Sequence, residues 1–308
     1  MTATLLAEHC NEGIDCLLRF HNILRIKELE RAVFSLATQF YRPLHIIVVL
    51  QRFSAEEKKI VEDRLSRLLI GSDAPSLSVY NFIEPEPEDA RSELLNLGLR
   101  KCTGRYLAFL DYDDVLFPEA YTLLVNRLRE SGAGVVFAKV LVMKVTVFQD
   151  YVYYTGPSDV KPFKGCDLWD LFWANFCPIH SYVIDRSQFS KHHIFFDTQL
   201  CIEEDYDFLL RLCALRPSDF SMIDVPVGYY NGKDDGSNTV AGGQLGPTEL
   251  EKLSVTRRRI EQRKKTVPVS LEVQRQLRVK EPREGKVIQE ILAEKKFRWR
   301  GGIRRMVG

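Results

Sequence analysis

"YLAFLDYDDVLFPE", residues 106–119, carries an apolar run straight into Asp111, Asp113 and Asp114. A short apolar run of this kind reads as a buried strand, and carboxylates crowded at its end repel one another and hold water. The same alternation of strand and helix lies on either side. Upstream, "GIDCLLRF" (13–20), "LHIIVVL" (44–50) and "LSVYNFI" (77–83) read as strands. The second is β-branched, as in strands buried on both faces of a parallel sheet. Between them, "LRIKELERAVFSLATQF" (24–40) places Leu29, Val33, Leu36 and Phe40 at helical spacing, and Tyr41-Arg42-Pro43 breaks it. "SAEEKKIVEDRLSRLLIG" (54–71) opens with a capping box, Ser54 with Glu57, and closes at Gly71. "EPEPEDA" (84–90) is a loop and "RSELLNLGLRKC" (91–102) a helix stopping near Gly104. Downstream, "PEAYTLLVNRLRES" (118–131) is a helix with Pro118 in its first turn, and "AGVVFAKVLVMKVTVF" (133–148) supplies one or two strands.

Strand alternating with helix predicts βαβ units and a mostly parallel sheet. Such sheets bind ligands beyond the carboxyl ends of their strands, where the acids of the opening stretch fall. After about residue 155 the pattern changes to loops rich in Gly, Pro and aromatics, such as "YYTGPSDVKPFKG" (153–165) and "WDLFWANFCPIH" (169–180). "IEEDYDFLLRLCALR" (202–216) is a helix with acids at its start. From about residue 248 the chain is charged and helical in pattern, ending in "KKFRWRGGIRRMVG" (295–308). The expected division is 1–245, with a nucleotide-binding half at about 13–115 and an acceptor half at about 116–245, then a helical extension at 246–308.

The chain of 308 residues is 45% hydrophobic and 28% charged, with a formal net charge of +1, so no overall field points to nucleic acid. Its 7 cysteines include no C-x-x-C pair, which argues against zinc and against a disulfide framework; free thiols fit a reducing compartment. The N-terminus lacks a basic start followed by a long apolar core, so no signal peptide is expected. No apolar stretch approaches the ~18 residues of a spanning helix.

Strand alternation would turn Asp111 and Asp113 to one face. Two carboxylates there suit a hard divalent cation, with oxygens at ~2.0–2.6 Å, which could bridge a diphosphate. The plainer reading is that Asp113 and Asp114 cap the next helix and Asp111 ends a strand. A second Asp-x-Asp, Asp205-Tyr206-Asp207, follows Glu203 and Glu204. Acids in a first helical turn complement the dipole, but three in a row exceed that need. A carboxylate there could instead serve as a general base.

The spelling of several stretches is more specific. "IDCLLRFHN" (14–22) stands where one family has a "VSVIIPTYN"-like opening, matching at Asn22, and "HIIVVLQRFS" (45–54) stands where it has "EIIVVDDGS". "NLGLRKCTGRYLAFLDYDD" (96–114) matches at Asn96, Gly98, Gly104, Tyr106, Phe109, Leu110, Asp111, Asp113 and Asp114. "FFDTQLCIEEDYDFLLRL" (195–212) matches through Glu204 and Asp205, and "DDGSNT" (234–239) resembles a late loop. In these stretches the chain resembles the inverting family 2 glycosyltransferases with the GT-A fold, which include bacterial polysaccharide and lipopolysaccharide sugar transferases.

The resemblance implies an α/β fold of the Rossmann-like GT-A type, a mostly parallel central sheet flanked by helices, with a C-terminal helical extension. It implies metal-dependent transfer from a nucleotide-sugar donor to a hydroxyl of a glycan or lipid-linked glycan, with inversion. Mn²⁺ or Mg²⁺ would be the cofactor, held by Asp113, with Asp111 nearer the ribose. Asp205 would be the catalytic base, with Glu204 beside it.

Departures from the family follow. Leu50-Gln51 replaces two acids, leaving Gln51 to hydrogen-bond the base. Phe20 and His21 would stack on or bond the base, or simply pack. Leu95 stands at the family's Arg, and Arg91, one turn back, could supply the charge. No His follows His193 to serve as a late metal ligand. His180 reads as a structural histidine or one facing the acceptor, and Trp169 with Trp173 as core or as a sugar platform. The basic C-terminus suits peripheral contact with the inner face of the cytoplasmic membrane, or a solvated end. Two rival readings are a sugar nucleotidyltransferase, although "RFHNILRIKE" (19–28) has no glycine for a phosphate loop, and a nucleotide-sugar-binding protein without turnover.

Overall fold

Nine strands form one sheet in the computed structural model, which describes residues 11–148, 151–157, 165–200, 202–233 and 247–294. In chain order these strands are β1 (Asn11–Phe20), β2 (Leu44–Gln51), β3 (Ser76–Phe82), β4 (Gly104–Phe109), β5 (Val115–Leu116), β6 (Val135–Phe148), β7 (Tyr151–Pro157), β8 (Tyr182–Asp185) and β9 (Ser218–Lys233). The helices are α1 (Ile26–Ala37), α2 (Ala55–Ser66), α3 (Arg91–Leu99), α4 (Ala120–Ser131), α5 (Leu168–Trp173), α6 (Glu204–Leu215), α7 (Pro247–Thr266) and α8 (Leu271–Gln276). The sheet order is β3-β2-β1-β4-β8-β6-β9-β5, with β7 paired to β6.

β1 to β4 are all parallel, as the βαβ pattern predicts. Successive strand residues face opposite ways, and the two faces build two core layers. Leu17, Ile47, Val49 and Phe109 pack with Leu94 and Leu95 of α3 and with Phe208, Leu209 and Leu212 of α6. Cys16, Leu18, Ile46 and Val48 pack with Leu29, Val33 and Leu36 of α1, Val61 and Leu65 of α2, and Leu124 of α4. The capping box at α2 forms: Ser54 Oγ accepts from Glu57 N at 3.1 Å, and Glu57 Oε2 accepts from Ser54 N at 2.8 Å. α4 stops at Gly132, whose φ of 65° is the left-handed conformation that glycine adopts without a Cβ penalty.

The second half is mixed, while the parallel order that the sequence predicts holds through β1 to β4. β8 runs antiparallel between β4 and β6, β6 is parallel to β9, and β5 is antiparallel to β9. "VVFAKVLVMKVTVF" is a single strand of 14 residues, antiparallel to β7 with Phe148 opposite Tyr151. α7 and α8 lie against α6, and Ile260, Val273, Leu277, Ile288 and Ile291 join the core layer that holds Leu17 and Phe109. No helix among the described residues is long and apolar enough to cross a membrane. The "DDGSNT" loop and the basic stretch 295–308 lie outside the described residues.

Candidate active site

The acids of the opening stretch leave the sheet sooner than expected. β4 ends at Phe109, and Asp111 to Asp114 form a turn closed by Asp114 N donating to Asp111 O at 3.1 Å. Asp111 and Asp113 therefore do not share a strand face. Nor do Asp113 and Asp114 cap the next helix, because β5 intervenes and Glu119 is the N-cap of α4. Each acid meets a different partner. Asp111 Oδ1 lies 3.3 Å from Arg19 Nε, at the end of β1. Asp113 Oδ2 lies 2.7 Å from Lys233 Nζ, at the end of β9. Asp114 is buried; its Oδ1 accepts from Asn231 N at 2.8 Å, and its Oδ2 lies 3.3 Å from His180 Nδ1. Burial, reinforced by the charge of Asp113, pushes the Asp114 carboxyl up, so it favours its neutral form.

Arg19 links this turn to the start of α6. Its Nη1 hydrogen-bonds Glu204 Oε1 while its Nε faces Asp111. The residue before α6, Glu203, has a φ of 56°. A non-glycine in that left-handed region is uncommon, and it delivers Glu204 and Asp205 abruptly into the first turn. Burial works against a charge on Glu204, but Arg19 and Arg91 outweigh it and hold the carboxylate below its ordinary range. Asp205 goes the other way: burial first, then the negative Glu204 beside it, lifts its pKa from 3.8 to about 7. It accepts from Tyr206 N at 2.8 Å, and Asn175 Nδ2 lies 3.5 Å away. Two adjacent carboxyls thus differ, one fixed as an anion and one able to take and return a proton near neutrality. Asp207 is structural, bound by Arg211 at 2.9 Å and by Arg263 of α7.

The other expected site residues divide. Gln51 is half-buried at the end of β2, its Nε2 donating to Glu88 O at 2.8 Å. Arg91 forks onto Asp89 at 3.0 and 2.9 Å, with Nη1 4.0 Å from Glu204 Oε2. His21 is exposed, edge-on to Tyr112 at 5.7 Å, and burial of its ring edge followed by the charge of Arg19 lowers its pKa. Gln51 and His21 thus sit at the carboxyl ends of β2 and β1, and Arg91 at the start of α3. Phe20 is fully buried against Phe53 and Tyr112, so it offers a nucleotide base no face. Asn96 accepts from Phe196 N at 2.8 Å and donates to Phe196 O at 2.9 Å, tying α3 to the segment before α6. His180 is 1% exposed, its ring parallel to Tyr230, and burial lowers its pKa to about 4. A neutral, enclosed ring cannot face an acceptor. Trp169 packs on the core while Trp173 is 55% exposed, so the two form neither a shared core pair nor a common platform.

A divalent cation needs several converging oxygens. Among the described residues no three Asp, Glu, His or Cys side chains converge on the acidic turn; the one group that does converge is Cys166, Asp167 and Asp170, at the start of α5. With Asp111 facing Arg19 and Asp113 facing Lys233, the residues as they stand do not fit the expected metal. The expectations missed Arg19, Lys233, Glu28 and Asn231. Arg19 did carry a signal, as a charge in an apolar strand one residue from its carboxyl end. Lys233 carried none, lying far along the chain in "YYNGKDDG" (229–236).

No curated protein sequence matches the chain. Among solved structures, it is similar to S. aureus TarS 1–349 in complex with UDP-GlcNAc, with a TM-score of 0.58 and 14% identity over 92% of this chain and 71% of that one. The same TarS fragment with UDP gives 0.57 and 14% over 92% and 70%. At that identity the likeness speaks for the fold, and it agrees with the GT-A expectation. The family model for glycosyl transferase family 2 matches residues 20–192, more than half of the chain and including the whole acidic turn, though it ends before α6. With the parallel half-sheet, the acids at its carboxyl edge and this match in agreement, the chain belongs to glycosyl transferase family 2 and is a transferase.

Proposed function

We propose that the protein moves a sugar from a nucleotide-sugar donor to an acceptor hydroxyl with inversion, and that Asp205 takes the acceptor's proton. The observation that carries this reading is the contrast within Glu204-Asp205. Adjacent carboxyls whose environments drive their proton affinities apart are how a site assigns acid and base roles. Here Arg19 keeps Glu204 ionised while Asp205 titrates at about 7.

The nucleotide would lie beyond the carboxyl ends of β1, β2 and β4, with Gln51 and His21 beside it. Arg19 and Arg91 supply positive charge toward the phosphates. The acceptor oxygen attacks the anomeric carbon opposite the diphosphate and gives its proton to Asp205. The bond from that carbon to the diphosphate oxygen breaks, and its electron pair leaves with the nucleotide. One displacement inverts the centre. No step is assigned to a metal, because both aspartates of the motif already face basic side chains.

The UDP and UDP-GlcNAc of the similar structures support a nucleotide-sugar donor. Leu50-Gln51, in place of the family's two acids, supports a donor preference of its own. Resemblance to polysaccharide and lipopolysaccharide transferases supports a cell-surface glycan, free or lipid-linked, as acceptor. Unbridged Cys16, Cys102, Cys166, Cys177 and Cys213 support a cytoplasmic setting. Contact of residues 295–308 with the inner face of the membrane belongs to the same reading.

The substitution at Leu50-Gln51 and the occupied aspartates also favour a second reading, a nucleotide-sugar binder without turnover. Purified protein offered UDP-, GDP-, dTDP- and CDP-sugars, followed by thermal shift and by nucleoside diphosphate release, separates the two. Release that Asp205→Asn abolishes supports the transferase. Binding without release of any nucleotide moves the protein to the second reading, and no binding at all overturns both.

A further inference from the structure

We propose that Lys233 is the resident cation of the Asp113 carboxylate and takes the place of a divalent ion there, so that the site holds its nucleotide without a metal. The proposal rests on reading the carboxyl ends of β1, β2 and β4 as the donor site.

Lys233 Nζ lies 2.7 Å from Asp113 Oδ2 and 3.0 Å from Glu28 Oε2, and its side chain is 1% exposed. An ammonium gives up its water at that depth only where other charges and hydrogen bonds replace it. Two carboxylates do so here. The backbone fixes the arrangement. Two residues before Lys233, Asn231 N donates to Asp114 Oδ1 at 2.8 Å, and Asn231 Nδ2 donates to Asp113 O at 2.6 Å. The end of β9 is therefore fastened to the acidic turn, and Lys233 reaches Asp113 by strand register rather than by a chance swing of a long side chain.

Charge balance points the same way. Arg25 Nη1 lies 3.5 Å from Glu28 Oε1, so among the described ion pairs Asp113 and Glu28 already meet Lys233 and Arg25. A divalent ion beside Asp113 would sit against the Lys233 ammonium and be repelled by it. It would also seek about six oxygens at ~2.0–2.6 Å. Asp113 offers one oxygen beside an ammonium, and Asp111 is turned to Arg19. Arg19 and Arg91, part-exposed though paired with Asp111 and Asp89, would be the cations that meet phosphate.

The test uses Mn²⁺ itself, followed by loss of the free-ion electron paramagnetic resonance signal, and calorimetry with UDP, GDP, dTDP and CDP in EDTA and in excess Mn²⁺. The full chain should bind no Mn²⁺ that Asp113→Ala removes and should bind its preferred nucleotide equally, within about twofold, in both conditions. Lys233→Met frees two carboxylates, so it should gain a Mn²⁺ site and a nucleotide affinity at least about tenfold stronger with the metal. Lys233→Arg should behave as the wild type. Lys233→Met combined with Glu28→Gln removes one of the orphaned acids, should the single variant fail to fold. A wild-type affinity that falls about tenfold in EDTA overturns the proposal. If no nucleotide binds in either condition, the donor-site reading fails, and Mn²⁺ titration alone then decides Lys233: binding by wild type that Asp113→Ala removes overturns it.

Discussion

Asp205→Asn should make the protein more stable and nearly inactive at the same pH. Burial and Glu204 raise the Asp205 pKa from 3.8 to about 7. A carboxyl raised in the folded state adds stability that is fully present below pH ~4 and lost as pH rises through ~7. That rise spans roughly three pH units at about 1.4 kcal/mol each, so the wild type at pH 8 carries a penalty of up to ~4 kcal/mol. Asparagine carries none, and its amide oxygen can still accept the Tyr206 N–H now bound at 2.8 Å. Part of the gain is offset where Arg19 loses an attractive neighbour. The net expectation is ~1–4 kcal/mol of added stability at pH 8, shrinking toward zero near pH 4. Urea unfolding at pH 8, 6 and 4.5 measures it. In parallel, wild-type kcat/KM should climb about tenfold per pH unit up to ~7 and then level. The variant should keep donor affinity and lose at least about a hundredfold in turnover. A variant no more stable than wild type at pH 8, together with a wild-type rate flat from pH 5 to 8, would refute both the lifted carboxyl and its role as base.

Gln51→Asp sets a carboxylate against Glu88 O, which now accepts from the Gln51 amide at 2.8 Å, so the loop should shift and the ranking of UDP, GDP, dTDP and CDP should change; an unaltered ranking removes Gln51 from base recognition. Arg19→Met strips Glu204 and Asp111 of their shared cation and should lower stability by ~3–5 kcal/mol at pH 7, read by urea unfolding. A loss below about 1 kcal/mol would mean that solvent already screens the cluster. In Gly104→Ala the new Cβ would lie 2.6 Å from Gly13 O, so β1 and β4 must part at a cost of ~1–3 kcal/mol, and a neutral midpoint contradicts that close approach.

The features legible in the sequence were those decided locally. Ser54 and Glu57 sit three residues apart and cap each other, and the β-branched run of β2 needs a sheet whatever its neighbours are. The features that escaped were decided by contacts between distant segments. "FLDYDD" (109–114) spells a strand running into acids, yet the strand stops at Phe109 because pairing with β8 ends at Ala108 and β5 turns toward β9. Phe20 looks available until Phe53 and Tyr112 cover it, and His180 until Tyr230 does. Of the site itself, the acids were visible because acids at a strand end are locally anomalous. Their partners were not, since Arg19 and Lys233 are ordinary residues until the sheet brings them to Asp111 and Asp113.

The helix that bears Asp205 is held from behind by α7. Arg263 reaches both Asp207 on α6 and Asp197 before it, and Arg259 adds a second hold on Asp197 at 3.1 Å. Order of synthesis gives this brace a meaning. On the ribosome the acidic turn and α6 emerge first, while Asp207, 1% exposed in the finished fold, waits for the guanidinium of α7. Until then Asp207 has only Arg211 of its own helix, and a buried carboxylate short of its second cation resists closure of the core around it. The first turn of α6, with Glu204 and Asp205, should therefore settle only after α7 has been made, later than the parallel half of the sheet.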